Sequence, residues 1–233
     1  YTHSDVHLIN FEPLRTYEGL TIHKCDSISG TKTNMMKDTN IVAFCDEVKK
    51  IADENQNETL FVPVFKYVKH EVEMELRNYI ESGRIIVAHF GSTRGSNRFQ
   101  DCSIVVIGGI LHKTENYYLG KAKTLLDSKG IELVDMDCSK PSGIRRFNDS
   151  NIEQLKILDM LVDYSQEIKR SSQRDNTKNV RGQVYIFHND NILLDLISYK
   201  FPKCSVREWA PMKMLEKCFQ REITIMSKLY INI

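Results

Sequence analysis

Residues 85–109 read IIVAHFGSTRGSNRFQDCSIVVIGG, in which two apolar runs flank a polar loop. The second run, SIVVIGG, has almost no polar alternation, which is typical of a parallel strand covered on both faces. Another apolar run, TLFVPVFK at 59–66, precedes this stretch, and a segment with helical periodicity lies between the two. Strands alternating with helices in this way predict an α/β fold with a mostly parallel sheet and helices on both faces.

Length and composition restrict the class of protein. The 233 residues suffice for one generous domain with a sizeable core. The net charge of +1, from 32 basic and 31 acidic residues, excludes a chain that is basic throughout, so any nucleic-acid surface must be local. The six cysteines form no CxxC pair, which gives no support for a metal site and favours a reduced, cytoplasmic setting. No apolar run approaches the roughly 20 residues that cross a bilayer, so no membrane association is expected.

The chain is predicted to form one compact domain. Residues 1–37 are expected to form an N-terminal β extension, and residues 38–233 the α/β domain with a C-terminal helical tail. An insertion is expected around 110–148. Helices are predicted over 38–55 and 67–81, and Ser150 with Glu153 forms a capping-box pattern that predicts the start of a long helix.

The polar loop GSTRGSN, residues 91–97, is the first candidate site. In a parallel sheet, ligands bind in loops at the carboxyl ends of strands, and this loop follows such an end. Gly91 and Gly95 allow backbone N–H groups to approach a ligand, while Arg94 or Arg98 supplies positive charge. The pattern indicates phosphate binding. A solvated turn between two strands is the alternative interpretation.

The second candidate is the stretch around Gln166, Arg170 and Arg174, which are four residues apart. If the helix continues through them, they lie along one slowly drifting stripe. Two guanidinium groups on one helix edge repel each other unless an anion neutralises them, and arginine binds phosphate oxygens in a planar fork. A solvated basic face paired with Glu167 and Asp175 is the alternative.

Together the two stretches resemble the second RecA-like domain of superfamily 2 helicases. STRGSN followed by SIVVIGG is similar to motif V, and Gln166-Glu-Ile-Lys-Arg170 followed by RGQVYIF is similar to motif VI. The strand LFVPVFK with the helix after it is similar to motif IV. The resemblance covers roughly residues 59–188.

The resemblance implies roles for particular residues. Arg170 would be the arginine finger, with Arg174 as the second catalytic arginine, and Gln166, Arg170 and Gly95 would face ATP. The residues implied to bind nucleic acid are Ser92, Thr93, Arg94, Ser96, Asn97 and Lys66. The expected partners are single-stranded nucleic acid, with DNA favoured, and the preceding RecA-like domain of the same polypeptide.

The sequence departs from the helicase pattern in two places. Lys169 replaces the usual glycine before the first motif VI arginine, and Gln173 stands where the second arginine is expected, one position before Arg174. No GxxxxGK[S/T] phosphate loop occurs in the chain. The segment from Ser27 to Thr33 matches this motif only in part. ATP and Mg²⁺ are therefore expected to be held mainly by another domain, and this chain, which starts at Tyr1, is expected to be a fragment that is inactive alone.

Two other functions remain open. A RecA-like fold that has lost catalysis could serve as a docking module for nucleic acid or protein. A small-molecule enzyme on a flavodoxin-like sheet is a third hypothesis, but the chain offers no convincing acid and base pair for it.

Overall fold

A computed structural model provides the structure of the chain. It describes residues 15–26, 28, 30–93, 95–127, 135–140, 144–174, 180–188, 190–211 and 214.

The centre of the fold is a six-stranded sheet in which all strand pairs are parallel. The described strands are β1 (Leu20–Cys25), β2 (Leu60–Val64), β3 (Ile85–His89), β4 (Ile104–Ile107), β5 (Cys138–Ser139), β6 (Arg146–Phe147), β7 (Gly182–Phe187) and β8 (Ser205–Glu208). The sheet has the order β3-β2-β4-β7-β1-β8, and β5 and β6 form a separate antiparallel pair.

Helices cover both faces of this sheet. The described α-helices are α1 (Lys32–Met35), α2 (Asp38–Glu54), α3 (Lys69–Glu75), α4 (Arg77–Glu81), α5 (Glu115–Asp127), α6 (Ser150–Ile168) and α7 (Asn191–Lys200). Alternate residues of the strands point to opposite cores: Val62 and Val64 pack with α2 and α3, whereas Phe61 packs with α6 and α7. Burial on both faces explains why the strands lack polar alternation. The predicted fold class is confirmed, and the architecture is consistent with a RecA-like α/β fold.

The connections leave the sheet in two directions. From β1 to β2 and from β2 to β3 the chain passes through α2, α3 and α4 on one face, toward the β3 edge. From β4 to β7 and from β7 to β8 it passes through α6 and α7 on the other face, toward the β8 edge. Loops from neighbouring strands therefore diverge between β2 and β4 and between β7 and β1. Such divergence opens a crevice at the carboxyl edge of the sheet.

Strand β1 lies inside the sheet. It pairs with β7 on one side and with β8 on the other. The segment 20–25, assigned from the sequence to an N-terminal extension, is thus an integral part of the domain. Residues 1–14 of that extension lie outside the described residues, as does all of the expected C-terminal tail after Pro211 except Met214.

Three helix boundaries differ from the sequence predictions. The predicted helix over 67–81 is divided at Leu76 into α3 and α4. Asp149, not Ser150, caps α6: its carboxylate accepts hydrogen bonds from the backbone N–H groups of Asn151 (2.8 Å) and Ile152 (3.2 Å). A carboxylate one position earlier satisfies two N–H groups at once, so it displaces the serine from the cap.

The third boundary is the end of α6 at Ile168. The Ser171 hydroxyl donates to the Ile168 carbonyl at 2.7 Å, and the backbone N–H of Ser172 donates to Cys102 in a different segment. These bonds offer the backbone an alternative to continued helix. Arg170 and Arg174 therefore lie beyond the helix, and the predicted continuous stripe with Gln166 does not form.

Candidate functional site

The loop between β3 and β4 begins at the carboxyl edge of the sheet. The Phe90 N–H donates to the Val64 carbonyl at the end of β2, which anchors the start of the loop. Further along, Phe99 and Cys102 are buried in the core beneath α6 and α7. The loop therefore crosses this face of the sheet before it enters β4 at the amino edge.

Two glycines shape the exposed bend of this loop. Gly91 has a φ of +88° and Gly95 a φ of +75°, and nothing lies within 4 Å of a Cβ built at either position. The need for glycine is therefore conformational, because other L-residues adopt this left-handed region at a cost.

Thr93 joins the loop to the end of α6. Its side chain is fully buried, and its hydroxyl donates to the Glu167 carboxylate at 2.9 Å. Its backbone carbonyl accepts a short hydrogen bond from the Arg170 guanidinium. One residue of the loop is thus held through both its side chain and its backbone by the segment that carries the candidate finger.

A second contact links the same two segments four residues further along. Arg174 is the exposed last residue of the short 3₁₀ turn Ser172–Arg174, and its guanidinium donates to the side-chain oxygen of Asn97. The two arginines no longer share a helix face, yet both contact the 91–97 loop.

The side chain of Gln173 lies in the interior of the fold. It is almost fully buried, and its amide nitrogen donates to the Val180 carbonyl at 3.1 Å just before β7. Its backbone carbonyl accepts from Arg15 at 2.8 Å. Gln173, which stands where the second arginine is expected, is therefore buried in the interior. Arg174 is the residue that is exposed at the surface.

Glu167 was expected from the sequence only as a partner of a solvated basic face, whereas in the structure it is buried beside Arg170. Its carboxylate lies 3.5 Å from the Arg170 guanidinium, and the side chains are only 7% and 15% exposed. The sequence offered one signal, the i, i+3 spacing of Glu167 and Arg170, but that spacing is typical of exposed helix pairs as well.

The remaining predicted site residues are distributed as follows. Gln166 is exposed on α6, and Ser92, Ser96 and Asn97 lie on the exposed or half-buried surface of the loop. Lys66 is exposed just after β2. Its neighbour Phe65 packs edge to face against Phe90, with 5.3 Å between the ring centroids. Lys66 therefore lies on the same sheet edge as the start of the loop. Arg94 lies outside the described residues.

Comparison of the chain with protein-family models found no match. Comparison with curated proteins also found no match.

Within the described ranges, no group of three or more His, Cys, Asp or Glu side chains is arranged to hold a metal ion. None of the helices in the described part of the chain is both long and apolar enough to cross a membrane.

We expect Thr93→Val to lower the free energy of unfolding by about 1–3 kcal/mol, because valine keeps the volume but leaves the buried Glu167 oxygen without its hydroxyl donor. Thr93→Ser should retain most of the stability. Urea unfolding measures the difference. Ser92→Ala, which removes an exposed hydroxyl, is the matched control, and an equal loss in both variants would contradict a special role for Thr93.

Proposed function

We propose that this chain is the C-terminal half of an ATP-dependent nucleic-acid helicase or translocase. The observation that carries the proposal is the contact of both candidate arginines with the candidate nucleic-acid loop: Arg170 with Thr93 and Arg174 with Asn97. A motor has to couple nucleotide hydrolysis to its grip on a strand, and these bonds provide a physical link between the two functions.

The two arginines are suited in charge to the phosphates of ATP. Arg174 is exposed, and Arg170, whose side chain is 15% exposed, lies beside a glycine-bearing bend. In the proposed motor Arg170 and Arg174 stabilise negative charge on the transferring phosphoryl group, while Gln166 and Gly95 face the nucleotide. The preceding RecA-like domain supplies the phosphate loop and Mg²⁺.

The exposed side of the loop supports contact with a nucleic-acid backbone. Ser92, Ser96 and Asn97 offer hydroxyl and amide donors, and Lys66 adds positive charge at the sheet edge where the loop begins. Such groups bind phosphate oxygens without reading base sequence. Single-stranded nucleic acid, with DNA favoured, is therefore the proposed partner.

A specific observation favours a second candidate, a catalytically inactive docking module. The Glu167 carboxylate near Arg170 offsets part of the positive charge that a finger needs, and both groups are largely buried. A motor and a docking module differ in whether ATP is hydrolysed when the preceding domain is present.

We also propose a cytoplasmic setting. In the described part of the chain, Cys45, Cys102, Cys138 and Cys204 are free thiols, which suits a reducing compartment.

The test is an ATPase assay of the parent polypeptide with and without single-stranded DNA, and with single-stranded RNA for comparison. We expect ATP turnover to rise at least about tenfold when the strand is added, and we expect the isolated 233-residue chain to be inactive. Absence of turnover in a parent polypeptide that carries a phosphate loop would favour the docking module.

A further inference from the structure

A cleft of about 910 Å³ opens at the carboxyl edge of the sheet. Its walls come from the segments that follow β1, β2, β4 and β7, together with α6 and the residues just before β6. These are the loops that diverge to opposite faces of the sheet, and the crevice between such loops is where α/β proteins bind ligands. The volume is within the usual range for small-molecule sites.

The cleft has an excess of positive charge. Its lining includes five basic side chains and two acidic ones. The basic residues are Lys32, Lys113, Lys140, Arg145 and Lys156, and the acidic residues are Glu115 and Asp190.

Most of these charges are already paired within the fold. Asp190 accepts from Arg146 at 2.9 Å, and Glu115 pairs with Arg145. Lys156 pairs with Glu153 at 2.8 Å, and Lys113 pairs with Asp159 and Asp163. The exposed ammonium groups of Lys32 and Lys140 therefore account for the excess charge at the rim, with Lys32 lying over the ring of Tyr67 at 3.9 Å.

The side chain of His188 lies in the wall of this cleft and is only 5% exposed. The backbone N–H of Asp190 donates to its Nδ1 at 2.9 Å. An imidazole nitrogen that accepts a hydrogen bond carries no proton, so in the neutral ring the proton is on Nε2. Nε2 is buried and has no hydrogen-bond partner among the residues that the structure describes.

An unpaired buried donor is costly and requires an explanation. An acceptor atom on a ligand in the cleft would satisfy it. Because the rim is cationic, an anionic acceptor is favoured over a neutral one. The apolar part of the lining, which includes Phe65, Ile110 and Met160, suits an uncharged portion of the same ligand.

We propose that this cleft binds a phosphate group, with the His188 Nε2–H donating to it from the wall and Lys32 and Lys140 neutralising its charge at the rim. The phosphate belongs either to a small phosphorylated molecule or to a nucleic-acid strand, and the chemistry of recognition is the same for both.

This site is separate from the contacts of Arg170 and Arg174. Met160 lines the cleft, whereas α6 ends at Ile168, and eight residues of helix span about 12 Å. The proposal therefore does not rest on the helicase function.

The experiment is a titration of the purified chain with pyrophosphate, followed through the imidazole NMR signals of His188. We expect these signals to shift in a saturable manner. Calorimetry should show binding about tenfold weaker in the Lys32→Gln, Lys140→Gln double variant. Lys50→Gln with Lys123→Gln, which removes two exposed lysines outside the cleft, is the matched control and should bind as the unchanged protein does.

His188→Asn provides a second variant. Asparagine can still accept from the Asp190 N–H but places no donor at the Nε2 position, so pyrophosphate binding should weaken about tenfold while the chain stays folded by circular dichroism. Arg174→Gln should leave the His188 shift intact, which separates this site from the proposed helicase site.

The source of the phosphate is settled by competition. If ATP displaces pyrophosphate and a twelve-nucleotide single strand does not, the ligand is a small phosphorylated molecule; if the strand also displaces it, the cleft binds nucleic-acid phosphate. Unchanged His188 signals with all three probes, or equal weakening in the control pair, would overturn the proposal.

Discussion

Arg170→Ala should reduce the turnover of ATP by the parent polypeptide at least about 1,000-fold, the usual effect of losing an arginine finger. The physical reason is that the variant lacks the guanidinium that, in the proposed motor, stabilises charge on the transferring phosphoryl group. Affinity for single-stranded DNA, measured by fluorescence anisotropy at fixed salt, should change little, because Glu167 still holds Thr93 and the loop side chains proposed to contact a strand remain.

Three variants make this result interpretable. Arg170→Lys keeps a positive charge but not the planar fork, and it should recover only a small part of the activity. Arg174→Ala should lower turnover while leaving the Arg170 to Thr93 bond intact. Arg77→Gln removes an exposed arginine of α4, outside the loop, and should have little effect. Normal turnover in Arg170→Ala would show that the finger is elsewhere.

The second large effect concerns stability in mild acid. Burial lowers the pKa of His188 to about 4, against an ordinary value near 6.5. Above the ordinary value both the folded and unfolded states hold the ring neutral. As the pH falls from about 6.5 to 4, the unfolded state takes up a proton that the folded state does not. The folded protein should therefore lose about 3 kcal/mol of stability over this window. Below about pH 4 both states bind the proton, so titration of His188 should cause no further loss.

Urea unfolding at about pH 7.5 and about pH 5 measures this loss. The unchanged protein should lose about 2 kcal/mol more than His188→Asn between the two conditions, since asparagine does not titrate. Burial also lowers the pKa values of His23 and His112, and both remain in the variant, so their effects cancel in the comparison. Equal losses in the two proteins would mean that His188 is not held neutral.

The sequence was sufficient for strands β2 and β4 and for the long helices α2 and α6. SIVVIGG and LFVPVFK were recognisable as doubly covered strands because every residue of β4 and β2 is buried, and such burial requires an apolar run. The helix over 38–55 followed from apolar periodicity, which continues through α2.

The details of the site depended on long-range contacts. The end of α6 is set by a bond from Ser172 to Cys102, some 70 residues away, and local propensity contains no information about it. For the same reason the burial of Glu167 and the orientation of the His188 ring could not be predicted. The contact of the 91–97 loop with the segment around Arg170 was expected only from the resemblance to helicases. Its atoms, Thr93 with Glu167 and Arg170, could be named only from the structure.

The double attachment of Thr93 has a mechanical consequence. Its hydroxyl and its carbonyl are held by two side chains three residues apart, Glu167 and Arg170. A shift of the loop by about one ångström away from α6 would lengthen both bonds beyond normal hydrogen-bond distances. The two hydrogen bonds of Thr93 therefore form or break together, and with them the contact between the bend and the Arg170 guanidinium.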